Sequence, residues 1–349
     1  MMEDISIDEL LALKDRGELT IIDVRSPSEY KDATIPGSLN IPFFSDEERA
    51  EVGTLYKQVS QQAAKERGLE IASAKLPAFV REFSGIRGKK AVFCWRGGMR
   101  SRTSATVLDL MGIKALRLDG GYRAYRNWVI EKLDSMEIKQ DAFVLNGHTG
   151  TGKTAILHKL RDEGFPVIDL ERMSNHRGSI FGQIGLEPYN QKTFDSLLVE
   201  ELQKFENSSN LLFEGESRRI GKVMLPDFLM EKKEQAIQLF IYMPMEERVT
   251  NLLEDYQPWE HQQECLEAFN RIKKRIHTPA AKQIEEDLQA ENYSSAIRLL
   301  LEYYYDPLYE KSTGGYPESQ RVTLEVKNIK EGVEAVRDYI AGRITPVGS

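Results

Sequence analysis

Cysteine is scarce in this sequence, with only Cys94 and Cys265 among 349 residues. Two cysteines cannot form a disulfide framework, so we expect a reducing, cytoplasmic setting. The sequence contains no run of eighteen or more apolar residues, and it therefore predicts no transmembrane helix and no membrane partner. Its first residues are acidic and amphipathic, which is not the pattern of a secretory signal peptide.

Histidine is absent from a large part of the sequence, because none of the five precedes residue 148. Cys94 therefore has no histidine partner in its own part of the chain, which argues against a papain-like protease. The net charge of −8 argues against a general nucleic-acid binder, but residues 81–135 carry 12 Lys+Arg against 5 Asp+Glu. This basic segment contains Cys94 and favours anions there, although a solvated basic surface explains the charge equally well.

The hydrophobic pattern alternates strands and helices and predicts an α/β protein with two domains, residues 1–135 and 136–349. We expect a parallel sheet in the first domain and a doubly wound sheet in the second, with a mainly helical insertion at 245–312. Residues 35–42 read as a loop. The predicted strands are 19–24, 90–93, 115–118, 142–145, 166–170, 211–214, 238–242 and 321–326. The predicted helices of the first domain are 7–14, 46–66, 72–84, 101–111 and 122–135.

Residues 147–154 match the phosphate-binding pattern G-x-x-x-x-G-K-[ST] without a mismatch. A predicted strand precedes them and a helix follows, so backbone amides and the helix dipole would converge on a phosphate. Lys153 would reach the terminal phosphate, and the Thr154 hydroxyl would bind Mg²⁺. The predicted phosphate-binding residues are Gly147, Thr149, Gly150, Thr151, Gly152, Lys153 and Thr154.

The ligand of this phosphate loop stays open at the level of sequence. No [NT]-K-x-D motif is present to read a guanine base, and such a loop binds any diphosphate-like anion. Glu214 and Glu216 follow a strand at the place where a residue that orients Mg²⁺-bound water is expected. Pairing with the neighbouring arginines 218 and 219 is an equal alternative. His176 and Arg177 follow the second strand of this sheet, and we predict that they face the ligand.

Residues 94–101, Cys-Trp-Arg-Gly-Gly-Met-Arg-Ser, lie between a buried strand and a helix. Such a loop surrounds a sulfur with amides at a helix N-terminus, which stabilises a thiolate. We predict Cys94 as the catalytic nucleophile. The predicted anion cradle is formed by Arg96, Gly97, Gly98, Met99 and Arg100.

Four sequence blocks resemble the landmarks of a rhodanese domain over about residues 5–130: residues 23–30, 35–42, the cysteine loop 94–101, and 118–121. One departure is that the arginine falls six positions after Cys94, one later than in many small sulfurtransferases. This C-x₅-R spacing also occurs in rhodanese-fold phosphatases, and a larger loop suits a phosphate- or selenophosphate-sized anion. A phosphatase usually places an acidic residue in or near the loop, and residues 94–100 contain none.

Fusion of this cysteine loop to the phosphate loop resembles the tRNA 2-selenouridine synthase family, as do residues 176–182, 214–221 and 304–309. The resemblance implies that selenium from selenophosphate replaces sulfur in wobble 2-thiouridine of tRNA, through a geranylated intermediate made from geranyl diphosphate. Cys94 would carry the selenium or assist departure of the thiol. Mg²⁺ is expected, no tightly bound organic cofactor is expected, and a selenophosphate-producing enzyme is an expected partner.

A basic stretch in the otherwise acidic second domain is the candidate tRNA contact. A solvated helix face explains it equally well. The competing functions are a phosphatase or sulfurtransferase fused to an ATP-binding kinase-like domain, and a non-catalytic sulfur-relay adaptor. The tRNA-binding candidates are Arg271, Lys273, Lys274 and Arg275.

Overall fold

The structure is a computed structural model that describes residues 3–313 and 315–343. The outermost parts of the two predicted domains, residues 1–2 and 344–349, lie outside the described residues, as does Gly314. The chain divides after residue 135 into two compact units, and residues 195–199 group with the first.

The first unit is built on a five-stranded parallel sheet with the order β1-β5-β4-β2-β3. The central strands β2 and β4 are nearly all buried, which explains their continuous apolar sequences. Strands β1 and β3 are two residues long, too short for a periodic signal, and β3 lies in the segment predicted as a loop. The strands are β1 (Asp4–Ile5), β2 (Leu19–Asp23), β3 (Leu39–Asn40), β4 (Lys89–Phe93) and β5 (Leu116–Leu118).

The helices of the first unit follow the predicted pattern except for a short helix at Pro27–Asp32, which was not predicted, and for the middle of the unit. The predicted break between residues 66 and 72 is wrong, because α4 is continuous there and begins at a Ser60 cap bonded to the Ala63 amide at 3.0 Å. Gly68 lies inside α4 without interrupting it. The helices are α1 (Ile7–Asp15), α2 (Pro27–Asp32), α3 (Asp46–Gln58), α4 (Gln61–Ser84), α5 (Met99–Leu110) and α6 (Gly121–Ser135).

The second unit has a five-stranded parallel sheet with the order β12-β11-β6-β8-β7, beside a small antiparallel ribbon of β9 and β10. Both sheets confirm the predicted α/β class. Strand β7 is shorter than predicted because Asp169 caps the next helix and ends the strand. The strands are β6 (Asp141–Gly147), β7 (Val167–Ile168), β8 (Asn210–Glu214), β9 (Arg219–Ile220), β10 (Val223–Met224), β11 (Ile237–Tyr242) and β12 (Arg321–Glu325).

The helical insertion lies between β11 and β12 and has its own hydrophobic core, which includes Cys265, Phe269 and Tyr293. A π-helical turn, Leu301–Tyr305, joins two of its helices. In the described part of the chain, no helix is long and apolar enough to cross a bilayer. The helices of this unit are α7 (Lys153–Asp162), α8 (Leu170–Ser174), α9 (Gln191–Lys204), α10 (Asp227–Gln235), α11 (Met245–Tyr256), α12 (Gln262–Ile272), α13 (Thr278–Gln289), α14 (Tyr293–Leu300), α15 (Asp306–Thr313) and α16 (Ile329–Arg343).

Candidate functional site

Cys94 lies directly after β4, at the N-terminal end of α5, with 3% of its surface exposed. Its Sγ is 3.2 Å from the hydroxyl oxygen of Ser101, a fully buried residue in the first turn of α5. Either group can be the donor in this contact, and the positive end of the α5 helix dipole lies on this side of the loop. No role was predicted for Ser101, although it is the last residue of the cysteine loop, residues 94–101.

Glycines allow the start of α6 to close tightly over the cysteine loop. The amides of Tyr122 and Arg123 donate to the carbonyls of Cys94 and Trp95 at 2.8 and 3.0 Å. Gly121 has a φ of +61°, and a Cβ there would lie 2.3 Å from the Cys94 carbonyl oxygen. Only glycine fits this left-handed position and this close approach, which explains the Asp-Gly-Gly block.

The guanidinium of Arg100 binds the carboxylate of Glu29 on α2 through two hydrogen bonds, and the bond from Nη2 measures 3.1 Å. Burial opposes the charge on each group, but the ion pair outweighs it, so the pKa of Arg100 is raised and that of Glu29 is lowered. Glu29 is thus an acidic residue beside the loop that sequence reasoning missed. It belongs to a capping box with Ser26 at the start of α2, a helix that was not predicted. Because Arg100 keeps it ionised, it does not serve as a phosphatase general acid.

The other predicted cradle residues differ in their exposure. The side chains of Arg96 and Met99 are exposed, as is Trp95. Gly97 has a φ of +63°, and its carbonyl accepts a 2.7 Å bond from Arg117, which also pairs with Asp4. Arg117 was not predicted, and it anchors the loop from β5. The role of the cradle in binding an anion stays a prediction.

The phosphate loop lies between β6 and α7, as its pattern predicts. The Lys153 ammonium donates to the carbonyls of Gly147 and His148 at 2.9 and 3.2 Å, and burial lowers its pKa. The Thr154 hydroxyl donates to Glu171 at 2.7 Å. Glu171 was not predicted, although it follows the second strand of the sheet, at the edge where such ligand sites form.

Residues far along the chain hold the phosphate loop in shape. Arg248 on α11 donates from Nε to the Thr149 carbonyl at 2.9 Å and pairs with Asp306 on α15. Asn251, also on α11, donates to the Gly150 carbonyl at 2.9 Å. A Cβ at Gly150, whose φ is +84°, would lie 2.7 Å from the Arg248 carbonyl oxygen. The glycine spacing of the loop therefore serves its packing on the helical insertion as well as phosphate binding.

Three carboxyl groups, of Glu171, Glu214 and Glu216, interact electrostatically with Lys153. Burial, followed by the charge of Glu216, raises the pKa of Glu171 to about 7. Glu214 is fully buried; its Oε2 accepts from the Leu170 amide at 3.0 Å, and among the described residues its Oε1 has no partner. Burial also raises the pKa of Glu214 and Glu216.

The alternative partners of these glutamates are engaged elsewhere. Arg218 pairs with Asp227, and Arg219 donates to the Gly221 carbonyl. Mg²⁺ at phosphate sites takes one or two protein oxygens in addition to phosphate and water oxygens. The bonded oxygens of Thr154 and Glu171 are of this kind and fit that ion.

His176 and Arg177 are placed by packing contacts. His176 is buried against Gly182 and Gly221, its Nδ1 accepts from the Gly178 amide at 3.1 Å, and burial lowers its pKa. Arg177 donates to the Ile184 and Asp255 carbonyls, each at 2.9 Å. These contacts explain both residues structurally, and a ligand role for them stays a prediction.

The basic stretch forms the end of α12 and a 3₁₀ turn, Lys273–Arg275. Lys273 pairs with Glu285 at 2.6 Å. The side chains of Arg271, Lys274 and Arg275 are exposed. Their contact with tRNA stays a prediction.

A mainly apolar cavity extends from the phosphate loop into the helical insertion. Thr149 of the loop lines it together with Tyr256, Leu288, Ile297 and Leu300. No sequence pattern indicated it, because its walls come from five separate segments.

Two family models match the chain: a rhodanese-like domain over residues 6–127, and the tRNA 2-selenouridine synthase AAA domain over residues 140–343. A tRNA 2-selenouridine synthase of Nitrosomonas europaea is 31% identical over 97% of this chain and 99% of its own length. The chain belongs to the tRNA 2-selenouridine synthase family. It is therefore a member of an enzyme family. A relative of the same name from Bdellovibrio bacteriovorus is also 31% identical, over 88% of this chain and 92% of its own.

Among solved structures, an N-terminal domain from Clostridium difficile 630 is 33% identical over 37% of this chain and 99% of its own, with a TM-score of 0.35. A rhodanese-related protein from Thermoplasma volcanium is 21% identical over 37% of this chain and 92% of its own, with a TM-score of 0.23. The family assignment rests on the family models and the full-length relatives.

Proposed function

We propose that this chain replaces sulfur by selenium in the 2-thiouridine at the wobble position of tRNA, with selenophosphate as the selenium donor and geranyl diphosphate as a co-substrate. Membership of the family, whose curated relatives bear the name tRNA 2-selenouridine synthase, supports the overall reaction. A tRNA substrate and two free cysteines support a cytoplasmic location, with a selenophosphate-producing enzyme as the partner that supplies the donor.

The observation that carries the prenyl step is the apolar cavity that begins at Thr149 of the phosphate loop. A prenyl diphosphate has the matching two parts, an anionic head for the loop and a hydrocarbon tail for the cavity. A nucleotide would instead present a sugar and a base. Mg²⁺, held by Thr154 and Glu171, would supply charge neutralisation for a departing diphosphate.

In the first step, the 2-thio sulfur attacks C1 of the geranyl group. The C1–O bond breaks, diphosphate leaves with the electron pair, and the base loses its N3 proton. The Lys153 ammonium is bonded to the carbonyls of Gly147 and His148. When it releases these carbonyls, it orients the diphosphate and neutralises its charge.

In the second step, selenium attacks C2 of the S-geranyl base, and the C2–S bond breaks. The geranylthiol leaves with a proton, and water cleaves the selenium–phosphorus bond to give 2-selenouridine and phosphate. Cys94 acts in this step, as selenium carrier or in assisting departure of the thiol. Its position beside Ser101 and the α5 N-terminus suits an anionic sulfur.

The test is to incubate the full chain with 2-thiouridine tRNA and Mg²⁺, and to weigh the released nucleosides by mass spectrometry. Geranyl diphosphate alone should yield S-geranyl-2-thiouridine, and added selenophosphate should convert it to 2-selenouridine. Absence of both products would refute the proposal. Phosphate release from an aryl phosphate through Cys94 would favour the phosphatase alternative.

A further inference from the structure

We propose that Tyr293 closes the far end of the apolar cavity and sets the length of hydrocarbon chain that the phosphate-loop unit accepts. This inference rests on the proposed prenyl diphosphate at the phosphate loop and adds the residue that measures its tail. It concerns the second unit only.

The cavity has a polar end and an apolar end. Its polar end is Thr149 of the phosphate loop, and near it the hydroxyls of Ser179 and Tyr256 lie 3.1 Å apart. Its other walls combine aromatic side chains such as Phe181 with aliphatic ones, including Leu288 from α13 and Ile297 from α14. A diphosphate on the loop therefore places an attached hydrocarbon in the cavity, where burial is favourable.

Tyr293 stands at the boundary between this cavity and the protein surface. It is the first residue of α14 and is 7% exposed. It lines the apolar cavity, and it also lines a separate surface depression formed by residues 291–295 and Arg298. Tyr293 therefore borders both spaces, and we expect a smaller side chain at this position to join them.

The hydroxyl of Tyr293 is buried and has no hydrogen-bond partner among the described residues. Burial raises its pKa. An unpaired buried hydroxyl is a cost that a phenylalanine would avoid, so hydrogen bonding within the fold does not explain a tyrosine here. The Tyr293 side chain lines the cavity, and its hydroxyl has no acceptor among the described residues.

The experiment measures binding of inorganic diphosphate and of dimethylallyl, geranyl and farnesyl diphosphates to the full-length chain by calorimetry. In the wild type, affinity should rise from diphosphate to geranyl diphosphate and fall at farnesyl diphosphate. In Tyr293→Leu, the farnesyl-to-geranyl affinity ratio should rise about tenfold, because the longer tail passes into the opened space. Tyr293→Met is the second variant should the leucine protein not fold.

Phe269→Leu is the matched control, since Phe269 is a fully buried aromatic residue of the same core that does not line the cavity. Its affinity ratio should equal that of the wild type. An unchanged ratio in both Tyr293 variants, with inorganic diphosphate still bound, would overturn the role of Tyr293. Geranyl diphosphate binding no tighter than diphosphate would overturn the cavity as the tail site. Failure of the wild type to bind any diphosphate would instead contradict the proposed function.

Discussion

The cysteine loop and the phosphate loop occupy the same kind of place, after a parallel strand and before a helix, yet they hold their cations differently. Arg100 of the first is bound to a carboxylate, Glu29, whereas Lys153 of the second is bound to two neutral carbonyls. An anion entering the phosphate loop therefore finds Lys153 bonded to carbonyls, with the carboxyl groups of Glu171, Glu214 and Glu216 acting on it electrostatically. An anion entering the cysteine loop must compete with Glu29.

The two loops also differ in what supports them. The cysteine loop is held by backbone bonds to the start of α6, which depend on Gly121, and by Arg117 from the same sheet. The phosphate loop is held by the side chains of Arg248 and Asn251 from the helical insertion. The first loop is thus a local product of the rhodanese-like fold, while the second is coupled to the helices that form its cavity. Two loops with separate supports suit the proposal that each loop serves one step of the reaction.

The largest expected effect is that of Cys94→Ala. It should reduce selenation of S-geranyl-2-thiouridine tRNA at least about 10³-fold, because the only thiol of this loop is lost. Geranylation should continue at the wild-type rate, since the phosphate loop is untouched. Both products are measured by nucleoside mass spectrometry. Cys265→Ala, which removes the buried thiol of the other unit, is the control and should keep both steps.

Lys153→Ala should reduce geranylation about 10²-fold and weaken diphosphate binding, because the loop loses the cation that we propose to orient and neutralise the head group. Selenation of tRNA that is already geranylated should remain. If this variant and Cys94→Ala lost the same step, the assignment of one step to each loop would be wrong.

Gly121→Ala should lower the free energy of unfolding by about 3 kcal/mol or more, because its Cβ would overlap the Cys94 carbonyl at a left-handed position. Gly98→Ala is the matched comparison in the same loop. Its Cβ meets nothing within 4 Å in the described structure, so a loss under about 1 kcal/mol is expected. Urea denaturation measures both, and equal losses would contradict the packing argument.

The smallest effect is expected for Glu29→Gln, which removes the carboxylate that competes for Arg100. Loss of this partly buried ion pair should lower the free energy of unfolding by about 2 kcal/mol, a value between those of exposed and fully buried pairs. Thiophosphate, a stable anion similar in shape to selenophosphate, should bind the cysteine loop more tightly in the variant. Weaker thiophosphate binding would show that Glu29 positions Arg100 for the anion instead. Glu163→Gln, in a surface pair with Arg337, should change neither measurement.

Much of the architecture was predictable from local sequence, because burial of parallel strands and amphipathic helices leaves a periodic record in the chain. All eight predicted strands are present, and the segment 245–312 is helical as expected. The errors arise where local contacts such as helix caps, which the hydrophobic periodicity does not reflect, set the ends of an element. Asp169 caps α8 and shortens β7, and the Ser60 cap sets the start of α4.

By itself, the sequence determined the cysteine loop and the phosphate loop, since Cys94 with its glycines and the pattern at 147–154 each carry a complete local chemical signal. Only the tertiary structure decided the partners of those loops. Glu29, Glu171 and Arg248 come from other elements, and 71 residues separate Glu29 from Arg100. The apolar cavity and its closing residue Tyr293 are likewise tertiary. Contacts of this kind arise from how strands and helices pack together, and no spacing along the chain encodes them.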